Sequence, residues 1–440
     1  MAALVKRQSE PDAVVPANDN YADQANPFTA VAAGGLMGQI AEWILDTSRR
    51  KSPELAVMAA TAFMSAFYGR RVVTPTGSGL NMYLAGIAPS GFGKEAPLQR
   101  LALLLASAAM PYLLGPGEVS SASAIEKVLH KKPVMVMPWD EMGDVLEAIN
   151  SPNAGWAASV RTSMLQLYSK STGVWLTKET TDEKRNAEPI HCPTMSVIGT
   201  STPVRFYGGL SQANLSDGFA GRLIIVAPKK RPERARHLTD DGLDVPKSLL
   251  ESIKAAGDAF QWKDASAPGK WRDPNVRPNL TKVLWADAEA ESEWDRLEDW
   301  QTAEIDEDET RDGILGRVAE NGGKLATLRA LSRDPANPAV TVADVRWARA
   351  IMMESIRAID SGIEQHMHCS ALEGVMAAIL RHLRGAKRGE MFKSKMLGRS
   401  GIRGVSDQAF NDAIKRLRDI GKIELDGSTL RLLEDASATS

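Results

Sequence analysis

At 440 residues, with 53 basic against 55 acidic side chains, a net charge of −2 and 43% hydrophobic residues, the chain has the composition of a soluble protein of two or three domains. Its two cysteines, Cys192 and Cys369, exclude a disulfide framework and a four-cysteine metal site and point to a reducing compartment. No apolar run approaches the roughly twenty residues that span a bilayer, and the N-terminus has no signal-peptide core, so a cytoplasmic protein without a membrane partner is expected. The balanced charge leaves any nucleic-acid contact to local basic patches.

Residues 1–26, rich in Ala, Pro, Asn and Asp and without periodicity, read as a tail. In the helical region 27–75, apolar spacing predicts helices over Leu36–Arg49 and Pro53–Tyr68, with Pro53 suited to a first turn. Arg70-Arg71-Val72-Val73 and Gly77-Ser78-Gly79 then lead into a buried strand, Met82–Ile87. The loop Ala88-Pro89-Ser90-Gly91-Phe92-Gly93-Lys94-Glu95 follows, and a helix over Ala96–Met110 comes after it. Strand, glycine loop and helix form the context of a phosphate-binding loop: small residues let successive N–H groups turn inward, and the helix N-terminus adds positive potential. Lys94 would reach the terminal phosphates of ATP. Glu95 stands where a Mg²⁺-binding hydroxyl is usual, so either its carboxylate meets the metal or water and a downstream acid hold it.

Farther on, Ser121–His130 reads as a serine-capped helix. Val134–Trp139 reads as a buried strand delivering Asp140-Glu141 at its carboxyl edge, where open α/β sheets bind ligands. There Asp140 would hold Mg²⁺ and Glu141 would orient or deprotonate the attacking water. Helices are predicted over Met142–Ile149 and Ser159–Ser169. Gly173–Lys178 and Glu188–Cys192 then flank a polar segment as a hairpin. Its tip carries Lys184 and Arg185, which either touch a phosphate backbone or form a solvated loop. Thr194–Gly199 is a further strand, ending in Thr200-Ser201-Thr202; Ser201 is the candidate polar group between the acids and the γ-phosphate, with Thr200 and Thr202 close behind. Asp217-Gly218-Phe219-Ala220-Gly221-Arg222 opens onto the last core strand, Leu223–Val226. Taken alone Arg222 is a surface charge; placed before an edge strand, it is positioned to stabilise a phosphoryl group in a neighbouring subunit.

This order of elements resembles the phage- and plasmid-borne helicase-like ATPases found with primases, over roughly residues 30–360. It is also similar to the AAA+ cores of minichromosome-maintenance and superfamily-three helicases. The resemblance rests on Ala85–Lys94, Asp140-Glu141 and Asp217–Arg222. It implies an α/β fold with an AAA+-type P-loop core, N-terminal helices and a helical lid. It also implies a homohexameric ring that hydrolyses ATP between subunits and draws single-stranded DNA through its pore, with a primase or other replication proteins as partners. In such rings the hairpin touches DNA, a role that falls here to Lys178, Lys184 and Arg185. A lid arginine reaches the nucleotide, and Arg317-Val318-Ala319-Glu320, followed by Lys324-Leu325-Ala326, matches that pattern loosely.

The core thus spans 76–235 and a linker with lid 236–368. The basic run Lys229–Arg236 is either a charged linker or a nucleic-acid contact. Residues 240–280 read as irregular; helices return over Ala286–Ile305, Gly313–Leu331 and Thr341 to about Gln365. His366-Met367-His368-Cys369 lacks standard zinc spacing and reads as structure. In the terminal domain, 369–440, helices are expected over Leu372–Leu383, Met391–Gly398 and from Ser406 onward, followed by a hairpin turning at Asp426-Gly427. Three helices and a hairpin look like a winged helix, which binds either DNA or protein. Lys393, Lys395, Arg399, Arg403, Lys415, Arg416 and Arg418 form its candidate DNA-binding patch. Two other readings remain: a helicase-loading or remodelling ATPase, and a nucleotide-switched replication initiator that does not hydrolyse ATP.

Overall fold

The computed structural model describes residues 26–150, 155–177, 188–210, 215, 217–235, 244–259, 270–386, 389–399 and 402–433. Its centre is a four-stranded, wholly parallel sheet of β1 (Tyr83–Ile87), β2 (Val134–Trp139), β3 (Thr194–Ser201) and β4 (Leu223–Val226), in the order β2-β3-β1-β4. Every residue of β1, β3 and β4 is buried, as expected for strands covered on both faces. Pro138, which cannot donate to a ladder, is tolerated because β2 lies at an edge. On that edge Leu114 forms a single parallel bridge to Val136, and the Gly115 N–H donates to the Val136 carbonyl at 2.8 Å.

Helix α2 (Pro53–Tyr68) packs onto this sheet, α1 (Gly35–Asp46) packs onto α2, and both share the sheet's hydrophobic core. Ser52 caps α2 by accepting from the Leu55 N–H, Pro53 occupies the first turn, and every side chain from Leu55 to Tyr68 is buried. A helix apolar all round must be enclosed. It lies so close to β1 that a β-carbon on Gly86 would come within 2.8 Å of Leu55 and Met58. Helix α3 (Glu95–Ser107) follows β1; α4 (Ala122–Lys131), capped by Ser121, precedes β2; α5 (Met142–Asn150) and α6 (Gly155–Ser169) follow it.

Three expectations change in the remainder of the chain. Within 240–280, read as irregular, α7 (Lys247–Ala259) forms by burying Leu249, Ile253 and Ala256, a helical stripe obscured by the charged residues between them. Trp271–Val276 is held by Arg70, whose buried guanidinium donates to the carbonyls of Asp273 (2.6 Å), Val276 (2.6 Å) and Trp271, and also to that of His191 (3.0 Å). After α8 (Ala288–Glu307), the helix expected over 313–331 is broken: Asp312–Leu315 is one turn, and α9 (Val318–Arg333) starts anew at Arg317.

Helix α10 (Val342–Gly362) begins in a Thr341–Asp344 capping box and passes through the π-helical turn Ile363–Met367 into α11 (His368–Arg384). A second hydrophobic core then gathers α11, α12 (Asp407–Asp419) and a three-stranded antiparallel sheet, β5 (Glu390–Phe392), β6 (Ile423–Asp426) and β7 (Thr429–Leu432), ordered β5-β7-β6. The third correction falls here. Met391, expected to open a helix, pairs with Leu430 in the sheet, and only Lys393–Leu397 is helical. Among the described residues no helix is long and apolar enough to cross a membrane.

Candidate nucleotide site

The glycine loop leaves the carboxyl end of β1 at Ile87. Ala88 is buried, and its N–H donates to the Ser201 carbonyl at 3.1 Å, tying the loop to the neighbouring strand β3. Gly91 and Gly93 take φ of +80° and +81°, the left-handed region that only glycine enters without strain. Pro89, Ser90, Gly91 and Glu95 are exposed, while Phe92, Gly93 and Lys94 are half-buried. Lys94 is the N-cap residue of α3 and Glu95 its first residue, so the loop ends on that helix's unpaired N–H groups.

Two strands away, β2 delivers Asp140 and Glu141, both exposed, beyond the buried Trp139. Asp140 Oδ1 accepts from the Glu141 N–H at 3.1 Å, and the Thr200 hydroxyl approaches the same oxygen at 3.5 Å. Glu141 takes φ of +49°, a conformation costing a non-glycine residue roughly 1–2 kcal/mol. Ser201, expected beside the acids, is turned away: its hydroxyl accepts from the Gly143 N–H at 3.3 Å, at the start of α5. Consecutive strand residues face opposite sides of a sheet, so only one of Thr200 and Ser201 can meet Asp140, and it is Thr200.

Arg222 and Arg317 lie elsewhere. Leu223 pairs with Tyr83 at the start of β1, whereas the loop follows Ile87 at its far end. Arg222 therefore stands at the opposite end of the sheet from its own glycine loop, and β4 is an edge strand. Its Nη1 donates to the Gly218 carbonyl at 2.6 Å and its guanidinium lies 5.5 Å from the Tyr168 ring centre, while Nε is buried without a hydrogen-bond partner among the described residues. Burial and the charge of Arg317 hold the Arg222 pKa below the ordinary guanidinium value.

A polar network surrounds it. The Tyr168 hydroxyl donates to Asn321 Oδ1, and Asn321 Nδ2 donates to the Gly221 carbonyl at 3.2 Å. Lys324, 0% exposed, donates to the Asn81 carbonyl at 3.1 Å, pairs with Glu320 at 3.0 Å and sits 3.7 Å above the Tyr168 ring centre. Arg317 pairs with the same Glu320 at 2.8 Å. Burial lowers the Lys324 pKa; burial pushes Glu320 up, but Lys324 and Arg317 outweigh it and hold the carboxyl low. Arg317, expected to reach a nucleotide, lies at the Arg222 end of the sheet, because the break at Gly316 starts α9 beside that turn.

Of the residues expected on DNA, Lys178, Lys184 and Arg185 lie outside the described residues. The base of their hairpin is present as the antiparallel pair Val174–Trp175 and Ile190–His191. In the C-terminal unit Lys395, Arg399, Arg403, Lys415, Arg416 and Arg418 are exposed and Lys393 is half-buried, while α12 buries Phe410, Ala413, Ile414 and Leu417. Reading the sequence missed Arg50 and Arg231, which come from distant segments to lie against Gly93 and Gly91.

The donor chemistry suits Mg²⁺: Asp140 and Glu95 offer exposed hard oxygens at the carboxyl end of the sheet, and Mg²⁺ is usually bound through one or two carboxylates plus substrate phosphates. Among the described residues no three His, Cys, Asp or Glu side chains group as an all-protein metal cage.

No protein-family model matches the chain, and no curated protein matches it. Among solved structures it is similar to one titled "SCCmec type IV Cch - active helicase", at 12% sequence identity and a TM-score of 0.32, over 90% of this chain and 65% of that one. The chain therefore spans less than two thirds of that protein's length, and so loose a likeness carries no argument about fold or activity.

Proposed function

We propose that this protein is an ATP-dependent DNA helicase or translocase of phage or mobile-element replication, with an AAA+-type core that hydrolyses ATP between the subunits of a hexameric ring. The observation that carries the reading is the meeting, at one end of a parallel sheet, of a left-handed glycine loop with Thr200, Asp140 and Glu141 on the next two strands. That end is also where the chain, having left β1 for β2 and β3, returns to β4 on the other side, the switch point at which α/β sheets bind ligands. The open site favours nucleotide over a buried structural role for these groups.

In this reading the loop's N–H groups and Lys94 bind the phosphates, and Asp140 and Glu95 hold Mg²⁺, which supplies charge neutralisation on the phosphates. Glu141 accepts the proton of the attacking water. Thr200 steadies Asp140. Arg222, with Arg317 beside it, faces away from its own loop and serves the nucleotide of an adjacent subunit. The C-terminal unit is a winged helix whose exposed lysines and arginines bind DNA phosphates. Single-stranded DNA is the substrate, and a primase or other replication protein is the partner.

Phosphate release from ATP, measured with and without single-stranded DNA, tests the reading. DNA-stimulated turnover abolished by Glu141→Gln is the expected result. Lys94→Ala and Arg222→Ala chains, each inactive alone, are expected to regain turnover when mixed, because one interface then carries an intact loop and an intact arginine. Normal hydrolysis by both Lys94→Ala and Glu141→Gln would refute the assignment. The exposed Glu95 in place of a hydroxyl favours one other reading, a nucleotide-switched DNA-binding initiator, which tight ATP binding without phosphate release would establish.

A further inference from the structure

Two segments that flank the core in sequence meet over the glycine loop. Arg50–Lys51, just before α2, pairs antiparallel with Glu233–Arg234, just after β4, in the register Arg50↔Arg234 and Lys51↔Glu233. The Ala235 N–H extends the ribbon to the Arg49 carbonyl at 3.0 Å, and Arg50 Nη1 donates to the Pro232 carbonyl at 3.3 Å. The ribbon touches the loop at both left-handed glycines. A β-carbon on Gly93 would stand 2.6 Å from Arg50 Cβ, and one on Gly91 would stand 3.1 Å from Arg231 Nη2. The Arg231 guanidinium also lies 6.0 Å from the Phe92 ring centre.

We propose that Arg231 is a phosphate-binding residue of the nucleotide site, donating to the phosphate chain of the nucleoside triphosphate that Lys94 also contacts; the inference rests on the nucleotide reading above. Position is the first argument: the guanidinium lies at the exposed crown of the loop, where a phosphate chain cradled by the loop would pass. Tethering is the second. Lys229 pairs with Glu354 at 2.7 Å on one side of Arg231, and the buried Pro232 is tied to Arg50 on the other, so the arginine is delivered to the loop by a fixed backbone.

Charge is the third argument. Among the described residues neither Arg231, Arg50 nor Lys94 has a carboxylate partner, although the other end of the sheet supplies Glu320 to its cations. Cations gathered at a glycine loop without a counter-ion make a seat for an anion. A guanidinium presents a planar fork of N–H donors that matches phosphate, and Arg231 holds its own 6.0 Å from the Phe92 ring centre, at the loop.

Calorimetric titration of the full chain with ATP, ADP and AMP tests this, using wild type, Arg231→Ala, Arg231→Lys and Lys94→Ala. Arg231→Ala is expected to weaken ATP binding roughly tenfold, as loss of a charge-assisted contact does. AMP should be affected less, and Arg231→Lys should restore part of the loss. If Arg231→Ala binds ATP as wild type does while Lys94→Ala does not, Arg231 lies outside the site and the nucleotide reading survives. An equal loss for ATP and AMP would also overturn the assignment. So would unchanged ATP binding with weakened affinity for a single-stranded oligonucleotide, which would make the run a nucleic-acid contact. A wild-type chain that binds no ATP would remove the nucleotide reading and this inference together.

Discussion

Both ends of the parallel sheet gather cations, and they differ in what those cations touch. At the carboxyl end Lys94, Arg50 and Arg231 surround a glycine loop, exposed or half-buried, with no acid paired to them among the described residues. At the amino end Lys324 and Arg317 share Glu320, Lys324 and Arg222 share the Tyr168 ring and each donates to a carbonyl, and Lys324 has no exposed surface. The first arrangement leaves charge to be completed by a ligand. The second completes most of it internally, because a buried charge without partners costs several kcal/mol. Among the described residues Arg222 Nε is buried there without a hydrogen-bond partner, on the residue proposed to serve a neighbouring subunit. Charge alone does not mark a site; unpaired charge in reach of solvent does.

The largest expected effect breaks the open end. Glu141→Gln keeps the shape of the turn and removes the proposed proton acceptor, and should lower ATP turnover by roughly 10²–10⁴-fold. Phosphate-release kinetics would measure it, with ATP affinity retained. The next effect breaks the closed end. Lys324→Met removes one of the two cations paired with Glu320, leaving Arg317, and should cost about 2 kcal/mol of stability, read from urea denaturation. A loss below about 1 kcal/mol would mean that the cluster is solvated rather than structural.

These two regions were not equally legible. The loop and the acid pair are contiguous motifs, each closing a buried strand, so apolar runs ending at Ile87 and Trp139 place them directly. The amino-end network joins Asn81, Tyr168, Arg222 and Lys324 across more than two hundred residues, and no local pattern announces it. Arg50, 43 residues before Gly93, and Arg231, 140 residues after Gly91, are also out of local reach of the glycines they touch. Other misses have local causes. Pairing with Leu430 draws Met391 out of the helix its neighbours favour, and the stripe of Leu249, Ile253 and Ala256 is hidden by interleaved charges.

Gly93→Ala would sharpen the contrast at a similar cost. Its left-handed φ and the close approach to Arg50 together should cost about 2 kcal/mol, part of it as weakened ATP binding. The same change at Gly427, also left-handed but with open space around it, should cost about 1 kcal/mol and leave ATP binding untouched. Paired denaturation curves and ATP titrations separate the two.

The smallest effect concerns neighbours on one strand. Thr200 and Ser201 are chemically alike, adjacent and buried, but the pleat sends the first toward Asp140 and the second toward Gly143. At 3.5 Å the Thr200 contact is long, so its hydroxyl steadies the carboxylate weakly in the chain as it stands. Thr200→Val, which keeps the volume, should therefore lower turnover about fivefold, the equivalent of one modest hydrogen bond, and hardly change stability. Ser201→Ala should do the reverse, removing about 1 kcal/mol of stability through the unpaired Gly143 N–H while turnover holds. Equal effects on turnover would mean that β3 shifts its register when nucleotide binds. A larger effect from Ser201→Ala would return the catalytic role to the residue that sequence order alone favours.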